Sequence, residues 1–229
     1  MAAESIGENL ERVRERLAGA ARRSGRKPEE VTLVAVSKTW PAETVRRAVE
    51  AGQRVFGENK VQEAEAKIPL LPANLEWRLV GSLQRNKVRK ALACFAVVES
   101  VDSLELARQI DRVAGEEGGE PVVYFQVNLA GEATKHGFAA EDLRRDWDAL
   151  LALPRLRIAG LMTVPPFHPD AERSRAAFAA VRAFRDELER RGGVPLPGLS
   201  MGMSHDFEVA VEEGATSVRV GTAIFGSRG

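Results

Sequence analysis

A single cysteine, Cys94, is all the thiol chemistry the chain carries, so no intramolecular disulfide can form. Set among aliphatic residues in "ALACFAVV", it reads as a buried small hydrophobe and suits a reducing compartment. Neither sign of charge is in excess: Lys plus Arg and Asp plus Glu number 33 each, which removes the basic surplus that drives general polyanion binding. No uncharged apolar run approaches the roughly 18 residues of a membrane span. The opening "MAAESIGENLERVRERL" carries acids early and lacks the apolar core of a signal peptide. No GxGxxG or P-loop is present, so dinucleotide or nucleoside-triphosphate binding has no support. The expectation is a cytoplasmic globular protein without nucleic-acid or membrane partners. No Pro/Gly/Ser-rich linker divides it, so one domain is expected over residues 1–229.

What the chain does have is a repeated alternation. Short, nearly continuous apolar runs recur as "VTLVAV", "RVFG", "WRLVG", "FAVVES", "PVVYFQVN", "LRIAGLM", "PGLSMG" and "SVRVG", the pattern of parallel strands covered on both faces. Helical patterns lie between them. In "PAETVRRAVEAG", Pro41 suits a first turn, Val45 and Val49 share a face, and Gly52 suits the C-terminal cap. Ser103 suits an N-cap, and Phe178, Val181 and Phe184 are helically spaced ahead of Gly192. Eight strands, seven intervening helices and an extra amphipathic helix over residues 6–21 predict one (β/α)8 TIM barrel, with a doubly wound open sheet as the alternative.

Barrel chemistry sits at the C-terminal ends of the strands. Lys38 follows the first run, Glu58 and Asn59 the second, Ser82 the third, Asn128 the fifth and Thr163 the sixth. Lys38 is the one lysine that ends an aliphatic strand. It either snorkels to the rim or pairs with Glu58, or it is a partly desolvated amine able to attack an aldehyde. In "LSMGMS" and "VRVGTAIFG", Gly202 and Gly221 let backbone amides approach an anion, and Ser200, Ser204 and Thr222 add hydroxyls. Ordinary turn chemistry is the alternative for each stretch alone; with Lys38 they suggest a cofactor bearing both an aldehyde and a phosphate. Arg219 alternates with Val218 and Val220, so it faces a barrel interior, where it requires either an acid such as Glu58 or a cofactor ring nitrogen.

The stretches "LVAVSKTWPAETVRRAVEAGQRVFGENKVQEA", "EWRLVGSLQRNK", "LAGEATKHGF", "GLMTVPP" and "LSMGMSHDFEVAVEEGATSVRVGTAIFG" together resemble the pyridoxal phosphate homeostasis protein family. The resemblance implies an alanine racemase N-terminal-domain type of barrel that holds pyridoxal 5′-phosphate as an internal aldimine on Lys38. It implies phosphate contacts at Ser200, Gly221 and Thr222, Arg219 facing the pyridine nitrogen, and Asn59 and Met201 lining the pocket. Two departures are visible: Arg78 stands where the family often has histidine after tryptophan, and His205 and Phe207 fall in a variable part of the "MSxD" segment. Both are expected to alter only peripheral properties, such as what docks on the third-strand loop.

An arginine opposite the ring nitrogen only donates, which weakens the electron sink that carbanion chemistry draws on. Racemisation also needs a second acid/base group, and the one tyrosine, Tyr124, lies within a strand. The chain ends seven residues after Thr222, so the extra β-domain of a racemase is not expected. These points favour a protein that stores or hands over pyridoxal phosphate, with apoenzymes that use it as partners and a monomeric state expected. A narrow-range amino-acid racemase and a Schiff-base aldolase are the alternatives.

Three further signals have bland readings. "LQRNKVRK" gathers Arg85, Lys87, Arg89 and Lys90 without interleaved aromatics and reads as a solvated face. His136, His168 and His205 lack metal-ligand spacing. Ser204 and Asp206 read as caps for the helix that follows them, since "SHD" in immediate succession cannot form a hydrolase relay.

Overall fold

The structure, a computed structural model, describes residues 5–129 and 136–226. Part of the "LAGEATKHGF" stretch, residues 130–135, therefore lies outside the described residues. Eight parallel strands follow one another around a closed barrel in chain order: β1 Thr32–Val36, β2 Val55–Glu58, β3 Glu76–Leu79, β4 Val97–Val101, β5 Val122–Gln126, β6 Arg157–Met162, β7 Gly198–Met203 and β8 Ser217–Val220. Closure is made by β8 against β1, with Leu33 opposite Val218 and Val34 opposite Arg219. A doubly wound sheet would leave two edge strands; here every strand has two neighbours.

Helix α1, Ile6–Arg23, precedes the barrel, and α2 Ala42–Glu50, α3 Val61–Lys67, α4 Val88–Cys94, α5 Leu104–Glu117, α6 Ala140–Leu151, α7 Arg175–Gly192 and α8 Phe207–Glu212 follow β1 to β7 in turn. A short α9, Thr222–Phe225, follows β8. Helix α1 starts from a full capping box between Ser5 and Glu8 and buries Leu10, Val13, Leu17, Ala20 and Ala21 along one face. That face packs on α8, α9 and α2. With α8 only six residues long and α9 four, α1 supplies the helical cover they are too short to provide. Arg16 and Arg23 tie it to Glu208 and Glu212 at 2.6 and 2.8 Å.

Several local expectations hold, the solvated face of the basic stretch among them, and two shift. Ser103 accepts from the Leu106 amide at 3.3 Å, as an N-cap should. Pro41 stands at the N-cap of α2, and Gly52, with φ of 85°, lies one residue past its C-cap, Ala51. Gly192 does not stop α7 but is its last residue, at a point where a Cβ would lie 2.6 Å from the Trp147 indole nitrogen, and Gly193 with φ of 63° caps the helix instead. Cys94 is half-buried rather than part of the core, since α4 turns Val88 and Ala91 inward and leaves its last residue at the edge. Half of the basic stretch is neutralised: Arg89 pairs with Glu116 and Glu117, and Lys90 with Glu65 at 2.9 Å.

Two apolar regions are separate. The large one fills the space between strands and helices, while a small one, Val97, Tyr124 and Met162, lies within the barrel. Strands β6 and β7 approach closely there, and a Cβ on Gly160 would overlap the carbonyl oxygen of Gly198. Tyr124 occupies the room that glycine leaves, its hydroxyl 2.6 Å from where a Gly198 Cβ would be. No helix among the described residues is long and apolar enough to cross a membrane.

Glycine substitutions should therefore act in opposite directions. Gly160→Ala is expected to lose about 2 kcal/mol or more in urea unfolding, as overpacking against backbone does. Gly115→Ala, on the exposed face of α5 with open space around it, is expected to gain about 0.5–1 kcal/mol.

Candidate functional site

The ends of β1, β2, β3, β7 and β8 surround a cavity of about 360 Å³. That size falls within the ordinary range of cofactor and small-molecule sites. Lys38, Asn59, Arg219, Gly221 and Thr222 line it, together with Val36, Trp40, Val80, Val164, Phe167, Met203, Ser204, His205 and Gly226. Five of the seven residues singled out from the sequence thus meet at one place. Ser200 and Met201 do not line it, and the two-residue period of a strand explains how they part. Met201 is fully buried in the large core between barrel and helices. Ser200 faces the lumen one layer below the cavity, held in the polar network described next.

That network crosses the lumen. Arg219 Nη1 donates to Ser200 Oγ at 2.6 Å, and Nη2 to the Thr163 carbonyl at 2.7 Å. Ser200 Oγ in turn donates to Glu99 Oε2 at 2.7 Å. The other carboxylate oxygen, Oε1, accepts from Arg78 Nη1 at 3.1 Å, and the same nitrogen donates to Ser217 Oγ at 3.3 Å. Arg78 Nε donates to Glu76 at 2.7 Å. Strands β4 and β7, and β3 and β8, are not neighbours in the barrel, so these bonds can run only through its interior. Burial pushes the Arg219 guanidinium below its ordinary pKa, and Glu99 opposes that shift. Burial acts the same way on Arg78, but Glu99 and Glu76 outweigh it and hold its pKa above the ordinary value. Burial, then Glu99, pushes the Tyr124 hydroxyl up, which keeps it neutral.

Three sequence expectations change. Arg78 is not peripheral: it is buried, and one carboxylate separates it from Ser200 and Arg219. The acid nearest Arg219 is Glu99, at 3.9 Å, not Glu58, which bonds Lys67 instead. Ser204 does not cap α8; its Oγ accepts from the Gly221 and Ala223 amides, each at 3.2 Å. Asp206 holds the N-cap position of α8 but its Oδ1 accepts from the Met203 amide at 2.8 Å, tightening the turn rather than the helix.

Lys38 lies two residues beyond β1 at the second position of a tight turn. The Ser37 carbonyl accepts from the Trp40 amide at 3.1 Å, and Thr39 has φ of 67°. Positive φ at the third position is the type II pattern, which favours glycine; threonine there is strained. It is also the one non-glycine residue with positive φ among those described. At the outer rim Phe167 is 74% exposed and lies beside the His205 ring, with centroids 5.2 Å apart. No group of three or more His, Cys, Asp or Glu is placed to hold a metal among the described residues.

Residues 8–229 match the alanine racemase N-terminal domain family. The pyridoxal phosphate homeostasis protein of Aquifex aeolicus is 44% identical over 222 residues, 96% of this chain and 97% of that one. Its namesake in Pseudomonas aeruginosa is 46% identical over 230 residues, 98% and 96% of the two chains. The structure of PipY of Synechococcus elongatus with PLP bound superposes with a TM-score of 0.84 at 44% identity, covering 97% of this chain and 100% of that one. An alanine racemase of Clostridium difficile, at 15% identity and a TM-score of 0.78, shares the fold across 98% of this chain and 57% of its own. The chain belongs to the pyridoxal phosphate homeostasis proteins, within the alanine racemase N-terminal domain family.

Glu99→Ala should be the costliest change in the lumen, because it leaves Arg219 buried without its nearest carboxylate and Arg78 with only the half-exposed Glu76. Urea unfolding is expected to show a loss of about 3–5 kcal/mol. Arg78→Met should cost clearly less, since Glu99 keeps Ser200 and Arg219.

Proposed function

We propose that this protein binds pyridoxal 5′-phosphate in the cavity at the barrel mouth, with Lys38 as the covalent anchor, and stores or hands over the cofactor without turning over a substrate. The observation that carries the reading is the meeting of Lys38 with Ser204, Gly221 and Thr222 in one cavity that the buried Arg219 also lines. When bound, pyridoxal phosphate supplies an aldehyde carbon, with which a lysine amine forms a carbon–nitrogen double bond as water leaves. The residues present fit it. The two amides that converge on Ser204 Oγ form a ready cradle for an anionic oxygen, and Thr222 adds a hydroxyl beside them. Arg219 lines the same cavity and, being protonated, only donates. Asn59 lines the wall. Ser200 acts by holding Arg219, and Met201 by packing the wall behind.

Racemisation would require an acid/base group opposite Lys38 in a site that excludes water. Among the described lining residues other than Lys38 and Arg219, the only imidazole or carboxyl side chain is that of His205, and it is exposed at the rim. Tyr124 is buried in the lumen and held neutral. An open mouth with a donating arginine suits capture and release better than catalysis. The only exposed large hydrophobic residues among those described are Leu70, Val164 and Phe167, which supports the reading of a monomer. The recipients are apoenzymes that use the same cofactor, in the cytoplasm.

Purified protein given pyridoxal phosphate should gain an absorbance that borohydride abolishes, with the mass of a reduced pyridoxyl group on the Lys38 peptide. Lys38→Ala should lose the covalent label and keep its fold. Undiminished labelling of Lys38→Ala would overturn the assignment, and turnover of a free amino acid well above that of the free cofactor would favour the racemase reading.

A further inference from the structure

The turn that presents Lys38 is gripped from outside the barrel wall. Glu58, the last residue of β2, is fully buried and faces α3, where it pairs with Lys67, whose side chain is 8% exposed. Lys67 Nζ also donates to the Ser37 carbonyl at 2.9 Å, and Ser37 Oγ donates to Glu58 Oε1 at 2.7 Å. One turn earlier on α3, Glu63 Oε2 accepts from the Thr39 amide at 2.9 Å. The residues on both sides of Lys38 are thus fixed by the end of β2 and by α3. Thr39, between two of these anchors, is the residue with the strained backbone.

A buried ion pair is a poor way to gain stability. Removing two charges from water costs several kcal/mol per ion, and well-packed apolar residues of the same size do as well. Burial here holds the Glu58 carboxyl above its ordinary pKa even against Lys67, and its Oε2 has no hydrogen-bond partner. What Lys67 provides that an apolar residue would not is a donor aimed at the Ser37 carbonyl, the acceptor that closes the Lys38 turn. The strain at Thr39 persists only where its surroundings over-determine it, and Glu63 and the Glu58–Lys67 pair are those surroundings.

We infer that Glu58, Lys67 and Glu63 are positioning residues that clamp the Lys38 turn and so set how readily its amine meets an aldehyde in the cavity. The inference rests on the reading of Lys38 as the covalent anchor. None of the three lines the cavity, so they act through the turn rather than by touching what is bound.

The test follows borohydride-trapped labelling of the Lys38 peptide over time at fixed pyridoxal phosphate, alongside urea unfolding. Parent protein that acquires no label would remove the anchor reading itself, separately from the clamp. Given a labelled parent, Lys67→Met is expected to label about 10- to 100-fold more slowly, as displaced reacting groups do. It should also be destabilised, because Glu58 is left unpaired.

The double variant Glu58→Gln with Lys67→Met separates position from stability. It removes both buried charges and should recover most of the lost stability, yet still label slowly, because the donor to Ser37 is gone. Glu63→Ala should slow labelling with little change in stability, and Glu63→Gln, which keeps an acceptor for Thr39, should restore it. Labelling that recovers together with stability in the double variant, or rates within about twofold of the parent in Glu63→Ala, would overturn the clamp. Should Lys67→Met fail to fold, the double variant and the Glu63 pair decide the question.

Discussion

One carboxylate inside the barrel, Glu99, stands between two buried arginines, and the mouth of the barrel depends on it. A guanidinium in a lumen walled by strands and helices has lost most of its water, and only a paired, hydrogen-bonded arrangement keeps that tolerable. Glu99 spends one oxygen on Arg78 and the other, through Ser200, on Arg219. Arg219 is thereby held beneath the cavity in one orientation, with its second nitrogen on the Thr163 carbonyl. The polar residues lie beside the small apolar cluster of Val97, Tyr124 and Met162, with Arg78 opposite Val97 and Ser200 opposite Met162, so the lumen is a packed interior.

Around the cavity each group has a distinct chemistry to offer. Arg219 donates and cannot accept, so any ring nitrogen it meets stays unprotonated, and the chemistry that needs a protonated ring is weakened. Ser204 holds the Gly221 and Ala223 amides together, keeping the cradle gathered. Lys38 comes from the opposite side of the closure, on a turn whose strained Thr39 is anchored by α3. The rim, with Phe167 and His205 exposed, leaves a way in and out.

The fold was legible because a parallel sheet covered on both faces writes itself as short continuous apolar runs, and all eight runs became strands. Their number favours closure into a barrel over a doubly wound sheet, and the pairing of β8 with β1 decides it. Lys38 is visible because a lysine ending "VTLVAV" is an anomaly among the lysines, although a rim position or a pair with Glu58 would also account for it. Glu99 was not singled out, although an acid within "FAVVES" is a departure from an all-apolar strand; its partners lie 21 and 101 residues away and nothing local names them. Nothing local marks Arg78 as buried either, its Ser217 contact being 139 residues distant. Ser200 and Met201 are adjacent on one strand, so strand alternation alone already forbade both from facing the lumen. Ser before an apolar helix is the common local pattern of a cap, whereas the amides that Ser204 accepts from come from beyond the end of β8.

The most direct measurement is a crystal structure of the borohydride-reduced protein with pyridoxal phosphate. Continuous density is expected from the ring to Lys38 Nζ, with the phosphate on the Gly221 and Ala223 amides, Ser204 displaced from between them, and Arg219 still bonded to Ser200 beneath the ring. A phosphate bound elsewhere, or a ring joined to another lysine while Lys38 stays free, would contradict this arrangement.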